Sequence, residues 1–363
     1  MGGAGAARGA GTGHRHDGDG ELTVSENNAA PVAGPVWPAA ARRARLHVVS
    51  GKGGTGKTTV AAALALALAA DGRRVLLVEV EERQAIARLF DVPPLPYEER
   101  KIAVASGGGE VRALAIDVEA ALLEYFELFY NLGFAGRTLK RMGAVEFATT
   151  LAPGLRDVLL TGKAKETVTR KGTDNRPVYD AVVMDAPPTG RIVTFLNVTV
   201  AMADLARRGP IRNQADGVVR LLHSPDTMVH LVTLLEDMPV TETVEAVADL
   251  AAAGLSVGTV VVNRATDTRL PAASVLPAAE GRLDIGRMAS GLARAGVDPE
   301  PELLAALEQE TRDHAIRVLA EQECRDLLIG TGLPLVTLPE LVDGADLGGV
   351  YELSERLAAQ GVR

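Results

Sequence analysis

Lys52, Lys57, Thr58 and Asp185 are residues whose types and spacing could do chemistry. The first three fall in one run: Ser50, Gly51, Lys52, Gly53, Gly54, Thr55, Gly56, Lys57, Thr58, Thr59. Positions 51–58 fit G-x-x-x-x-G-K-[ST]. A loop of that form wraps a phosphate chain in backbone N–H groups at the start of a helix. Gly53, Gly54 and Gly56 permit backbone angles and a close approach that a side chain would block. Lys57 brings charge to the β- and γ-phosphates, and the Thr58 hydroxyl is placed for Mg²⁺. The chemistry implied is binding and hydrolysis of a nucleoside triphosphate, ATP, with Mg²⁺.

Elements must position that loop, and the flanks supply them. Residues 46–49 (Leu, His, Val, Val) read as a short buried strand. Residues 60–70 are rich in Ala and Leu and have strong helix propensity; Asp71 and Gly72 stop them. A glycine-rich turn with an incidental lysine would require neither flank. A second strand, residues 74–80, is a continuous apolar run suited to a parallel sheet covered on both faces. It ends on Glu79 and Glu81, which share a face if the chain stays extended. They read either as a solvated acidic loop or as a switch segment near the γ-phosphate, because ligands sit at the carboxyl ends of strands in such sheets.

Residues 178–185 form another apolar strand, ending in Asp185. A carboxylate there either caps the next turn or holds Mg²⁺ through water. The residues that follow, Ala186, Pro187, Pro188, Thr189 and Gly190, make a shaped turn. The Gly190 N–H is suited to sensing a γ-phosphate, and such turns relax when that phosphate leaves. Asn263 closes a further strand, residues 259–263, with a donor and an acceptor that match the edge of adenine.

Composition sets bounds. With 363 residues and 47% hydrophobic content, a large α/β core is available. The net charge of −9 argues against sequence-independent nucleic-acid binding, which phosphate neutralisation drives. One cysteine, Cys324, builds neither a disulfide framework nor a thiolate cage, so no structural zinc is expected and a cytoplasmic location fits. The longest apolar run, about 11 residues, falls short of the roughly 20 that span a membrane.

Along the chain, residues 1–44 are Gly-, Ala- and Pro-rich and are expected to be a disordered extension. Residues 45–363 are expected to be one α/β domain, a three-layer P-loop NTPase fold with a mostly parallel central sheet flanked by helices. Strands are also expected at 111–116, 228–234 and 333–339. About 117–170 and 191–227 read as a helical subdomain, and 265–300 as a loop or insertion with weak periodicity. Val118–Tyr130 is unusually rich in large apolar side chains, which suits either a core helix or an apolar face for a partner.

Lys52 makes the loop K-G-G-x-G-K-[ST], and this form resembles the deviant Walker A ATPases. The match is nearest to the arsenite-pump and tail-anchored-protein-targeting branch, and within it to an actinobacterial subgroup called anion-transporting ATPases. It is carried by residues 51–59, by Asp185, Ala186, Pro187, Pro188, Thr189 and Gly190 (D-T-A-P-T-G in the branch), by Pro153 and Gly154, by Pro239 with Thr241, Glu242 and Thr243, and by Val262 with Asn263. The resemblance implies an ATP-dependent dimer, homo- or hetero-, whose subunits face each other across their nucleotides, with Lys52 reaching the partner's. It implies adenine contacts from Asn263, Leu338 and Pro339, and coupling to a membrane-protein or client partner, with location at the membrane only through that partner.

Two departures bear on function. The branch's D-P-A-H switch motif is replaced by Glu81, Glu82, Arg83, Gln84. Glu81 stands for the aspartate that orients water but is one methylene longer, and about 1 Å of misplacement can cost 100-fold in rate. Slow or partner-dependent turnover is expected. The cysteines that would bind zinc or trivalent arsenic are missing. Two other readings follow: a low-turnover nucleotide-binding subunit paired with a related ATPase, and a Par/Min-type positioning ATPase. The second ranks last, because the C-terminal tail carries little basic charge.

Overall fold

The structure is a computed structural model that describes residues 36–130, 154–205, 210–266, 268, 270–341 and 344–363. Eight strands make one sheet: β1 (Leu46–Gly51), β2 (Arg74–Glu79), β3 (Arg100–Val104), β4 (Glu110–Ala115), β5 (Ala181–Asp185), β6 (Thr227–Thr233), β7 (Val257–Ala265) and β8 (Leu335–Pro339). Their order is β3-β4-β2-β5-β1-β6-β7-β8. All neighbours are parallel except β3 and β4. β1 and β6 are buried along their whole length, as strands covered on both faces must be.

Helices cover both faces. On one lie α1 (Ala39–Arg43), α2 (Lys57–Ala69), α3 (Ala85–Leu89) and, at the end of the chain, Leu347–Ala359. Every residue from Val60 to Ala69 is buried, so α2 is enclosed all round by the sheet and that last helix. Helices α4 (Val118–Tyr130), α5 (Leu155–Thr169), α6 (Thr189–Leu205), α7 (Pro210–Leu222) and α8 (Asp237–Ala252) belong to the other face. Beyond β7 come α9 (Ala272–Ala279), α10 (Ile285–Arg294) and the long α11 (Pro301–Ile329), and α12 is the C-terminal Leu347–Ala359.

The expected α/β layers are present, with three differences. First, the extension assigned to 1–44 ends earlier. Trp37 is buried, its N–H donates to the Gln360 carbonyl at 3.2 Å, and α1 follows it. The Trp37 ring stacks on His230 (centroids 4.7 Å apart) and on His47 (6.1 Å). Second, residues 265–300 contain α9 and α10 rather than a loop. α9 packs on α11 through Val275, Ala278 and Ala315, while α10 half-buries one stripe formed by Ile285, Met288, Ala289 and Leu292, an i, i+3, i+4, i+7 pattern that the loop reading missed. Third, β3 had no sequence signature. It is an antiparallel edge strand carrying Arg100 and Lys101, the charged composition that blunts sheet edges. In Val118–Tyr130, Leu122 is buried in the core, and the side chains from Tyr125 onward lie outside the described residues, as do Pro153 and the extension up to residue 35.

Candidate functional site

β5, β1 and β6 are adjacent and parallel, so the segments leaving their carboxyl ends meet. These are the loop 51–56, the turn 186–188 and the approach to α8. The loop turns sharply at Gly51, where a Cβ would sit 2.1 Å from the Val232 carbonyl oxygen. Gly56, left-handed at φ 88°, is the residue from which α2 starts, and a Cβ there would meet Asn263 Nδ2 at 2.4 Å. Thr55 closes the loop on itself through Oγ1, which donates to the Lys52 carbonyl at 2.9 Å.

Lys57 Nζ lies 3.4 Å from the same carbonyl. Burial lowers its pKa, while Asp185 and Glu81 raise it and Arg83 lowers it further. Two acids and a second cation therefore act electrostatically on Lys57. Thr58 Oγ1 donates to Asp185 Oδ2 at 2.6 Å. Asp185 Oδ1 is buried without a hydrogen-bond partner. Burial pushes the Asp185 carboxyl up to about 6, against the Thr58 hydrogen bond and Lys57, with Glu79 and Glu81 adding to the rise. An unpaired buried carboxylate oxygen beside a threonine hydroxyl suits a hard cation, and Mg²⁺ prefers few protein ligands, completing its shell with water and phosphate. Thr58 and Asp185 would hold it.

The turn after β5 is fastened to the loop. Ser50 Oγ donates to the Pro187 carbonyl at 2.6 Å, and α6 begins at Thr189. Pro188 accepts from Arg191 N at 2.8 Å, and Gly190 sits exposed in the first turn of α6, where helix N–H groups have no partner within the helix. Lys52 stands on the lip of the loop. Its Nζ is 2.6 Å from Glu242 Oε1, while Thr189 Oγ1 donates to Glu242 Oε2 at 3.2 Å. Sequence reasoning gave Ser50 and Glu242 no chemical role. The available signal for Glu242 was its place in the run Pro239, Thr241, Glu242, Thr243 that carries the family resemblance.

The acidic pair at the end of β2 divides. β2 stops at Glu79, so the alternation that would put Glu79 and Glu81 on one face does not continue. Glu79 is buried and accepts from the N–H groups of Ala85 (3.0 Å) and Ile86 (3.4 Å), satisfying the first turn of α3. In this structure its carboxylate caps the start of α3. Glu81 is half-buried, 3.5 Å from Arg83. Glu82 and Gln84 both adopt left-handed backbone at φ 54°, which non-glycine residues take at some cost and which is concentrated at switch segments. Gln84 is clamped to Leu95 in both directions, at 3.1 and 2.7 Å. Glu81, Arg83, Arg156, Pro187 and Arg191 border a polar cavity of about 100 Å³ between the segment after β2 and the turn after β5.

A second cavity, about 290 Å³, opens beyond Gly56 and Thr59 and is lined by Asn263, Arg264, Pro339, Glu340 and Leu341. This is near the lower size for small-molecule sites, roughly 300 Å³. Asn263 is buried at its wall, but its Nδ2 donates to the Thr55 carbonyl at 2.9 Å. It thus braces the loop as well as facing the cavity. Leu338, expected to touch adenine, is fully buried in the core, because alternation along β8 sends it to the face opposite its neighbours. Pro339 does line the cavity.

Among the described residues no helix is long and apolar enough to cross a membrane, and none of them form a group of three or more His, Cys, Asp or Glu that could hold a metal.

Known proteins resemble this chain along most of its length. The family model described as "Anion-transporting ATPase" matches residues 44–223, which takes in the loop, Glu81, Asp185 and Thr189. The chain is 59% identical over 327 residues to "ATPase BagA" of Mycobacterium tuberculosis, covering 90% of this chain and 96% of that protein. It is 27% identical over 161 residues to "Putative arsenical pump-driving ATPase 1" of Aquifex aeolicus, covering 44% of this chain and 39% of that one. With "ATPase GET3" of Kluyveromyces lactis the identity is 26% over 183 residues, 47% of this chain and 51% of that protein. The paired lysines, the threonine–aspartate contact beneath them and the extent of these matches converge: the chain belongs to the anion-transporting ATPase family, in the branch that holds the arsenical pump-driving and GET3 ATPases.

Proposed function

We propose that this protein is a dimeric nucleotide switch that binds and hydrolyses Mg·ATP and couples its nucleotide state to a membrane-protein or client partner. The observation that carries the reading is Lys52. It sits beside the exposed Gly53 and Gly54 with its ammonium turned to Glu242 on α8, whereas the Lys57 ammonium turns inward to the loop's own Lys52 carbonyl. A lysine so placed is suited to a second subunit's nucleotide rather than its own.

In this reading the loop amides and Lys57 bind the phosphate chain, and Thr59, Asn263 and Pro339 flank the base. Thr58 and Asp185 hold Mg²⁺, which neutralises phosphate charge when bound. Glu81 orients the attacking water, and Lys57, with Lys52 from the partner, stabilises charge spread over the transferred phosphoryl group. Thr189 and Gly190, at the start of α6, respond to the γ-phosphate, and Pro187, Pro188 and Ser50 carry that response back to the loop.

A second reading has a specific observation behind it. Glu81, Glu82, Arg83 and Gln84 replace the branch's D-P-A-H, and Arg83 lies against Glu81. That favours a subunit that turns over slowly alone and faster with a related ATPase. ATPase assays of the chain alone and mixed with a related subunit separate the two. An arsenical cargo has no support from the chain's one cysteine, Cys324, which is buried against Asp237.

A further inference from the structure

Glu242 joins three segments that a switch must move relative to one another. It projects from α8, after β6. One of its carboxylate oxygens meets Lys52 Nζ, on the loop after β1, at 2.6 Å. The other accepts from Thr189 Oγ1, at the start of α6 after β5, at 3.2 Å. We propose that Glu242 is a positioning residue that holds Lys52 within its own subunit, so that engagement of a partner's nucleotide must compete with this contact. The proposal rests on the reading of Lys52 as the cross-subunit lysine.

Lysine's ammonium is a compact charge on a flexible four-carbon stem, so it can swing between two anionic partners but cannot satisfy both at once. The Lys52 and Glu242 side chains are 27% and 34% exposed. A pair in that position is partly screened, so the hold biases a population rather than locking it. The shared carboxylate also links two events. Movement of Thr189 when a γ-phosphate is present removes one of the two contacts that orient Glu242. Its grip on Lys52 then weakens at the moment when Lys52 is needed elsewhere. A ligand shifts such an equilibrium only through its different affinity for the two states, and Thr189 is where that difference would enter.

The test uses the full chain with Glu242→Gln, Glu242→Ala and Lys52→Ala. Each is titrated with ATP while dimer formation is followed by sedimentation velocity and hydrolysis by phosphate release. Release of the hold lowers the ATP concentration for half-maximal dimerisation in both Glu242 variants by about 2- to 5-fold. It lowers KM by a similar factor and leaves kcat within about twofold, a split that general destabilisation would not produce. Two variants are used so that an unstable Ala substitution does not decide the matter; circular dichroism confirms their folding. If Lys52→Ala abolishes dimerisation while both Glu242 variants match or fall below wild type, the hold is overturned and the cross-subunit role stands. If Lys52→Ala dimerises and hydrolyses as wild type does, the cross-subunit reading and the hold fall together.

Discussion

Thr58 Oγ1 donates to Asp185 Oδ2 over 2.6 Å, and the other oxygen of that carboxylate is buried with nothing to accept from. Asp185 titrates at about 6 in the fold, raised by burial from 3.8. As pH rises between those values the unfolded chain gives up its proton while the native state keeps it. Stability from this group is thus lost across that window and stays lost above it. At neutral pH the cost is about 3 kcal/mol. Asp185→Asn is expected to stabilise the nucleotide-free protein by about 1–3 kcal/mol at neutral pH, with the gain vanishing near pH 4, while ATP hydrolysis disappears. Urea unfolding at several pH values checks this; a less stable variant at neutral pH would contradict it.

Glu81 separates binding from turnover. It is half-buried beside Arg83 and acts electrostatically on both Lys57 and Asp185, yet it belongs to neither the loop nor the base cavity. Glu81→Ala should lower kcat by about 100-fold and leave ATP affinity nearly unchanged. Calorimetry with ADP and single-turnover hydrolysis give the two readouts. An unchanged rate would move water orientation to another group.

Lys57 is the converse case. Its ammonium is partly buried against the Lys52 carbonyl and feels the charges of Asp185 and Glu81, so removing it leaves those two acids without a compensating cation. Lys57→Ala should weaken ATP by about 10- to 100-fold or more. Equal affinity in calorimetry would mean that the loop amides bind the phosphates unaided.

The stack of Trp37, His47 and His230 makes an acid-sensitive clasp. His47 Nδ1 and His230 Nε2 lie 3.1 Å apart, fully buried, with the Thr259 hydroxyl on His230 Nδ1. Burial lowers His47 to about 4 from 6.5 and depresses His230 as well. Below pH 6.5 the unfolded chain takes up protons that the native state refuses. Stability present above that pH is lost as pH falls toward 4, opposite in sign to the Asp185 contribution. His47→Gln should flatten the acid limb of the stability profile. Trp37 is the one tryptophan, so its fluorescence reports the stack directly. Trp37→Ala should cost about 3 kcal/mol, and Trp37→Phe less, because the indole N–H has no partner to lose. Equal cost for both would contradict the stacking account.

The core of the site was readable because its chemistry constrains adjacent residues. Gly51, Gly56, Lys57 and Thr58 must occupy one strand–loop–helix junction, and Asp185 must end a buried strand. What escaped detection depends on residues far apart in sequence. Glu242 meets Lys52 across 190 positions, and only the adjacency of β1 and β6 makes that contact. The expectation that Glu79 and Glu81 share a face failed because two-residue periodicity stops where β2 ends. Leu338 and Pro339 were named together, but neighbours in a strand point to opposite faces, so only Pro339 lines the cavity. The charged edge strand β3 carries a weak apolar pattern, so its formation depends on β4 beside it, whereas the helical spacing of Ile285, Met288, Ala289 and Leu292 in α10 was present in the sequence and went unread.

The central claim is that Lys52 acts on a second subunit, and its most direct measurement is the ATP-dependent association of Lys52→Ala. In sedimentation velocity with ATP and Mg²⁺, wild type should shift from monomer to dimer. Lys52→Ala should bind ATP with unchanged affinity, remain monomeric and hydrolyse no ATP. Undiminished dimerisation and turnover in that variant would contradict the account.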